Sequence, residues 1–279
     1  MRFLPVRTRL IHQFLPIMGH IRIGTLPATR RWKDVIGLVA EGAEVSRVAE
    51  ATTHAWQLAF DKVRNDAGFR KAVFLLTQLG VAGKSSDPAE KLGAAGLEVG
   101  GAGSVVEVAM ALSEALERRI QGAHQRSDFG ELAQRALVAA VTEQIQREMP
   151  TLIESSADDI RFAVKKCGKE KGFAELAKGF FARLTNECLN YFLSKTLPGQ
   201  VGEKRRFANT EQLSQFESAM RTHCSEAAEI VGDFSAEWLS KNYFEGGGSI
   251  GRDTAEKFGW YGLDKIRQEL AERAREDAK

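Results

Sequence analysis

Residues 171–195, KGFAELAKGFFARLTNECLNYFLSK, decide the fold of this chain. Apolar side chains recur in this stretch at three- and four-residue spacing, which is the repeat of an α-helix with one buried face. The resulting stripe is the strongest in the sequence and consists of Phe173, Leu176, Ala177, Phe180, Leu184, Cys188, Tyr191 and Phe192. A long helix with so wide an apolar stripe is predicted to lie at the centre of the core.

The same spacing continues on both sides of this helix, whereas alternation long enough for a strand is scarce. Further helices are predicted over 29–41, 44–65, 69–79, from 88 onward, and over 104–121, 127–149, 156–166, 210–242 and 254 to the end. Segment 21–26 is the one strand candidate. We therefore expect an all-α fold: an irregular multi-helix bundle of about nine or ten helices with at most one short N-terminal strand.

Several predicted helices begin and end at residues with known capping chemistry. Asp87 precedes Pro88, and Ser127 and Ser156 each precede a periodic segment, so their side-chain oxygens can accept hydrogen bonds from the free N–H groups of a first turn. Gly42 follows the first helix and is expected to end it. These signals support the predicted boundaries.

Glycines predict breaks within the helical pattern. Gly232 is expected to kink the helix over 210–242, and residues 246–249, Gly-Gly-Gly-Ser, predict a hinge or tether. The glycine run lacks the lysine and the spacing of a phosphate-binding loop, so it does not predict a nucleotide site.

The domain organisation follows from these breaks and from the charge of the N-terminus. Residues 1–17 form a basic extension that is either disordered or precedes the true start of the protein. Residues 18–150 and 151–279 are expected to form an N-terminal and a C-terminal helical lobe. A single continuous domain is the alternative.

Composition places the chain among ordinary globular proteins. Of 279 residues, 43% are hydrophobic and 27% charged, and the formal net charge is +2. Three cysteines without CxxC spacing favour neither a disulfide framework nor a zinc ribbon, and indicate a reducing compartment. No apolar stretch approaches the roughly 20 residues of a membrane span. We expect a cytoplasmic protein without a membrane segment.

No catalytic signature is present in the sequence. His223 and Cys224 are neighbours, but adjacent residues of a helix point about 100° apart and cannot form a catalytic pair. Cys188 lies within the apolar stripe, where thiols are unreactive. We therefore predict no catalytic residues, no metal, no cofactor and no small-molecule ligand, and favour a protein that is not an enzyme.

One metal-dependent alternative is kept open. Glu50 with His54, and His223 with Glu226, each share a helix face at a spacing suited to metal ligation. If both pairs met in one pocket, they would form a helical metal site. Otherwise they are surface or core-edge pairs.

Two basic clusters are the best binding candidates, because closely spaced cations neutralise phosphates or pair with carboxylates. One cluster begins the first helix, and the other lies in a glycine-containing loop beside an aromatic ring that can stack on a base. They consist of Arg30, Arg31 and Lys33, and of Lys204, Arg205, Arg206 and Phe207.

The leading functional hypothesis is a non-enzymatic helical subunit or adaptor of a cytoplasmic multi-protein assembly, with another protein as its partner. Handling of nucleic acid is one candidate role for this assembly. The first alternative is direct binding of DNA or RNA through the basic loops, although a near-neutral net charge argues against a dedicated binder. The second is the helical metal-dependent enzyme.

Overall fold

The computed structural model describes residues 30–63, 65–123, 127–149 and 156–278. The basic extension over 1–17 and the strand candidate at 21–26 lie outside the described residues. Eleven α-helices and one short 3₁₀ helix, Leu197–Gln200, make up the described fold. The α-helices are α1 (Arg30–Ala40), α2 (Val45–Val63), α3 (Ala67–Lys84), α4 (Pro88–Ala94), α5 (Val105–Ala123), α6 (Asp128–Glu148), α7 (Ala157–Cys167), α8 (Glu170–Leu193), α9 (Thr210–Ala227), α10 (Glu229–Glu245) and α11 (Arg252–Glu276).

The predicted all-α class is confirmed. Within the described ranges no strand forms, and Val201 and Phe207 make an isolated β-bridge.

Capping residues begin the helices where the sequence indicated. Asp87 accepts hydrogen bonds from the backbone N–H groups of the first turn of α4, at 3.0 and 3.1 Å. Ser127 caps α6, and Ser156 forms a reciprocal capping box with Asp159 at the start of α7. Gly42 follows α1 with φ +79°, a left-handed conformation that favours glycine.

The predicted helix over 210–242 is two helices, and the break lies at Ala228 instead of Gly232. The Ala228 N–H donates to Cys224 and Ser225, and the chain then turns into α10. Both α9 and α10 pack on α8. Gly232 lies inside α10, where a Cβ would be 3.7 Å from the Lys178 Cβ on α8. Because of this break, the described fold has eleven helices where the sequence predicts ten.

The expected hinge at 246–249 is a closed turn between α10 and α11. The N–H groups of Gly247 and Gly248 donate back into the end of α10 at 3.1 and 2.9 Å, and both residues have positive φ. Ile250 follows at 4% exposure, and its carbonyl accepts a hydrogen bond from Gln78. The glycines therefore serve the geometry of a tight turn.

Helix α8 lies at the centre of the core, as predicted. It contacts α2, α3, α6, α7, α9, α10 and α11. Phe173, Phe180 and Phe181 on α8 are fully buried. Buried residues from before and after residue 150 belong to one hydrophobic cluster, so the core is continuous across the expected lobe boundary.

Helix α11 packs on α2 and α3 from the N-terminal part of the chain and also contacts α8. A Cβ at Gly259 would lie 2.9 Å from Val73 on α3, and a Cβ at Gly262 would lie 2.7 Å from Phe181 on α8. Tyr261, on a different face of α11 from Gly259, is 50% exposed.

Two glycines allow the ends of α3 and α7 to touch through their backbones. A Cβ at Gly83 would lie 2.2 Å from the Gly168 nitrogen and 2.6 Å from the Val164 carbonyl oxygen. No flexible side chain stands in this contact, so a larger residue at Gly83 would require the helices to separate.

Cys167, Cys188 and Cys224 are free and buried. Within the described ranges, no helix has the length and apolar content needed to cross a membrane.

A candidate docking groove

The first predicted basic cluster is exposed on α1. Arg30, Arg31 and Lys33 face solvent, and one Arg31 nitrogen lies 3.4 Å from the His54 carbonyl oxygen. Between them, Trp32 is buried, with its ring centroid 6.2 Å from that of Phe192 on α8. The cations are therefore held on the outer face of an anchored helix.

The second cluster divides into exposed and structural residues. Lys204 and Arg205 are exposed, whereas the half-buried Arg206 donates to the Val39 and Ala43 carbonyls at 3.1 and 2.7 Å. These carbonyls lie at and just beyond the last turn of α1, where helix C=O groups have no partner within the helix. Burial lowers the pKa of Arg206. Arg206 ties the loop to the end of α1.

Phe207 belongs to the interior. Its side chain is 4% exposed, and its ring centroid lies 5.5 Å from that of Phe216. The Arg206 guanidinium lies over both rings. The ring is therefore not accessible to a nucleic-acid base, contrary to the role expected from the sequence.

The two basic clusters lie at opposite ends of α1. Arg206 contacts its C-terminal end, and the first cluster begins about 12 Å away along the axis. Exposed Asp34, Glu41 and Glu44 lie along the same stretch. These carboxylates reduce the positive potential along α1.

The two histidine–glutamate pairs do not meet. In the described part of the chain, no three His, Cys, Asp or Glu side chains are placed to hold a metal ion. Glu50 and His54 line a small depression against α11, whereas His223 lies near Arg273. The combined metal site of the second alternative is therefore not formed.

The cysteines are not activated as nucleophiles. Burial raises the pKa of Cys167 and of Cys224 to about 12, and raises the pKa of Cys188 well above its usual value. Because the thiolate is the reactive form, these groups are inert at neutral pH.

A groove of about 560 Å³ lies on the surface where α8 runs between α6 and α9. We call it the α6–α8–α9 groove. Two rows of residues at four-residue spacing, one on α6 and one on α8, line it, and residues of α9 form a short border. The rows are Arg135, Ala139, Glu143 and Arg147 on α6, and Glu175, Gly179, Arg183 and Glu187 on α8; Arg221, Thr222 and Ser225 belong to α9.

Ion pairs connect the two rows across the groove. Glu143 pairs with Arg147 at 2.7 Å on its own helix and with Arg183 on α8. Arg147 also approaches Glu175 at 3.7 Å. These side chains are one-third to one-half exposed, so each pair contributes about 0–1 kcal/mol and can exchange partners at little cost.

Gly179 makes room for Arg183 on the floor of the groove. Arg183 donates to the Gly179 carbonyl one turn earlier at 3.0 Å, and a Cβ at Gly179 would lie 3.2 Å from the same nitrogen. Partial burial lowers the pKa of the Arg183 guanidinium. With Ala136, Ala139 and Ala182 nearby, the floor is built largely of small side chains.

The groove has an excess of positive charge. Five cations and three carboxylates line it, which leaves a net charge of +2. Arg221 makes no ion pair with any described residue, and Lys178 pairs with Glu229 outside the lining. No cysteine, histidine or tyrosine is among the residues that line the groove. Charged and polar side chains make up most of the rest of the lining, beside the alanines and the glycine.

Sequence reasoning missed this groove, although a signal was present. On both helices, three charged residues and one alanine or glycine follow each other at four-residue spacing, which places them on one face. Such rows do not stand out as basic clusters, because their charges are mixed and separated along the chain.

Comparison of the chain with protein-family models, with curated proteins and with solved structures found no match. Its function is therefore inferred from the groove and the basic clusters.

Proposed function

We propose that the protein is a non-enzymatic helical subunit or adaptor of a cytoplasmic multi-protein assembly, and that it docks its partner in the α6–α8–α9 groove. The observation that supports this proposal is the combination of an excess of cations with a floor of alanine and glycine. Cations select an acidic partner, and small residues allow a polypeptide backbone to approach closely.

The dimensions of the groove fit a short helical segment. The α6 row from Arg135 to Arg147 extends about 18 Å, the length of about three turns of helix. Peptides with such lengths commonly bind in grooves between helices through residues one turn apart. An acidic partner helix would exchange its carboxylates for those of Glu143 and Glu175 in the exposed ion pairs.

The test is affinity purification of the tagged protein from its native cells after amine-reactive crosslinking, with and without nuclease. Lys178 lines the groove and provides an amine within it. We expect a stoichiometric protein partner that survives nuclease and crosslinks to Lys178. The variant Arg135→Glu/Arg221→Glu is expected to lose this partner.

A matched control is Arg161→Glu/Arg267→Glu, since both arginines are exposed on helices outside the groove. It should retain the partner in full. A partner retained equally by the groove variant would contradict docking in the groove.

The second candidate function is direct binding of DNA or RNA. Its support is the exposure of Arg30, Arg31, Lys33, Lys204 and Arg205, with the loop of the last two tied to α1 through Arg206. Phosphate contacts through these side chains would be independent of base sequence.

Fluorescence anisotropy with labelled single- and double-stranded oligonucleotides tests this candidate. If it is right, affinity falls steeply with salt, and Lys204→Glu/Arg205→Glu lowers the salt slope by about one for each phosphate that is no longer neutralised. Affinity that is independent of salt, or unchanged in this variant, would argue against it.

A further inference from the structure

The outer face of α5 carries two exposed apolar residues next to acidic ones. Val106 is 67% exposed and Met110 58% exposed, although α5 packs against α3 and α6 on its other side. Glu114 and Glu117 continue the same helical face at spacings of four and three residues, and both are exposed. We call Val106, Met110, Glu114 and Glu117 the α5 outer face.

The negative charge of this face is opposite to the net positive charge of the α6–α8–α9 groove. Glu114 and Glu117 make no ion pair within the described part of the chain, and Arg221 in the groove is likewise unpaired there. Carboxylates brought to a groove with a net charge of +2 would be attracted rather than repelled.

The two surfaces also match in length and in shape. Residues 106–117 of α5 extend about 17 Å, and the α6 row of the groove extends about 18 Å. Met110 is unbranched and flexible, which suits packing on an uneven floor of alanine and glycine. Burying Val106 and Met110 there would remove apolar surface that now faces water.

We infer that the occupant of the groove is a second copy of this chain, which inserts its α5 outer face. The inference rests on the proposed role of the groove as a protein-docking site. Because the inserting and receiving surfaces differ, the contact is head-to-tail, and each added copy offers a new free groove. One helix in one groove buries less than a standard interface, so we expect weak association that depends on protein concentration.

Sedimentation velocity of the full chain from about 1 µM to about 1 mM tests this inference. The wild-type protein should grow in mass with concentration, beyond two copies. Two variants disable one surface each: Glu114→Arg/Glu117→Arg on α5, and Arg135→Glu/Arg221→Glu in the groove. Each alone should associate at least about tenfold more weakly than wild type.

Mixing the two variants gives the decisive result. The first retains an intact groove and the second an intact α5 outer face, so an equimolar mixture should form heterodimers. Because the reversed charges of the two variants are also complementary to each other, the mixture should associate more tightly than either variant alone. Arg161→Glu/Arg267→Glu should associate like wild type. Circular dichroism of each variant confirms that it is folded.

A wild-type protein that stays monomeric throughout the range overturns the inference. So does association that neither variant weakens, or a mixture that forms no heterodimer. The proposed function fails separately, when a partner captured from cells is indifferent to the groove variant, so the two failures are distinguishable.

Discussion

Replacing Arg206 tests whether this residue is a structural tie or a ligand-binding cation. Its guanidinium donates to the Val39 carbonyl at 3.1 Å and to the Ala43 carbonyl at 2.7 Å, and it lies 4.5 Å from the centroid of Phe216. A hydrogen bond from a charged donor contributes about 1.5–3 kcal/mol, and a cation over a ring about 0.5–1 kcal/mol. Because the side chain is only half-buried, solvent screening reduces these contributions below their summed ranges, and we expect a loss of about 2–3 kcal/mol in all for Arg206→Ala.

Arg206→Lys separates geometry from charge. Lysine keeps the positive charge but lacks the planar fork that reaches two carbonyls, so we expect a loss of about 1.5–2 kcal/mol. The neighbouring exposed Arg205 is the control, and Arg205→Ala should change stability by less than about 0.5 kcal/mol. Urea unfolding followed by circular dichroism measures these differences, and thermal midpoints should fall by roughly 4–8 °C for Arg206→Ala. If Arg206→Lys and Arg206→Ala unfold at the same urea concentration as the wild type, the hydrogen bonds to the end of α1 do not stabilise the fold and this reasoning is refuted.

Backbone contacts, burial and charge give three further predictions. Gly83→Ala should lower the free energy of unfolding by at least about 2 kcal/mol because its Cβ would meet the backbone of Gly168. The control Gly37→Ala, with nothing within 4 Å of its Cβ, should raise the free energy of unfolding by up to about 1 kcal/mol. Equal urea midpoints for the two variants would contradict this. Burial, and then the charge of Arg273, lower the pKa of His223, so its neutral form is favoured by folding and stability should fall as pH drops below about 6.5. His223→Gln should lose less stability than wild type between pH 7.5 and 5.5, and an equal loss would place the acid sensitivity elsewhere. The three buried thiols should resist an aromatic disulfide reagent at pH 8 in the folded protein and react after denaturation; rapid reaction in the folded state would disprove their burial.

Helix positions were predictable because each depends on local chemistry and on one face of a periodic pattern. Asp87, Ser127 and Ser156 begin helices through hydrogen bonds within a single turn, which the sequence specifies directly. The break at Ala228 was not predictable, since it serves the packing of α9 and α10 on α8 and no glycine or proline marks it.

The candidate site was harder to predict because it depends on tertiary contacts. Nothing near Arg206 in sequence indicates that the end of α1, more than 160 residues earlier, supplies its hydrogen-bond acceptors. Phe207 has the composition of a base-stacking residue, yet Phe216 covers it. The groove combines rows from three helices, and only their assembly shows that the charged residues face one another.

The packing of α11 has a consequence for synthesis of the protein on the ribosome. Gly259 and Gly262 bring α11 against Val73 of α3 and Phe181 of α8, so residues translated later cover apolar residues made much earlier. Until α11 leaves the exit tunnel, that side of α3 has no native cover, and the nascent chain carries exposed apolar surface of the kind that chaperones bind. Folding of the described helices can therefore be completed only after α11 has been translated, and a truncation that removes α11 leaves an aggregation-prone product instead of a smaller folded domain.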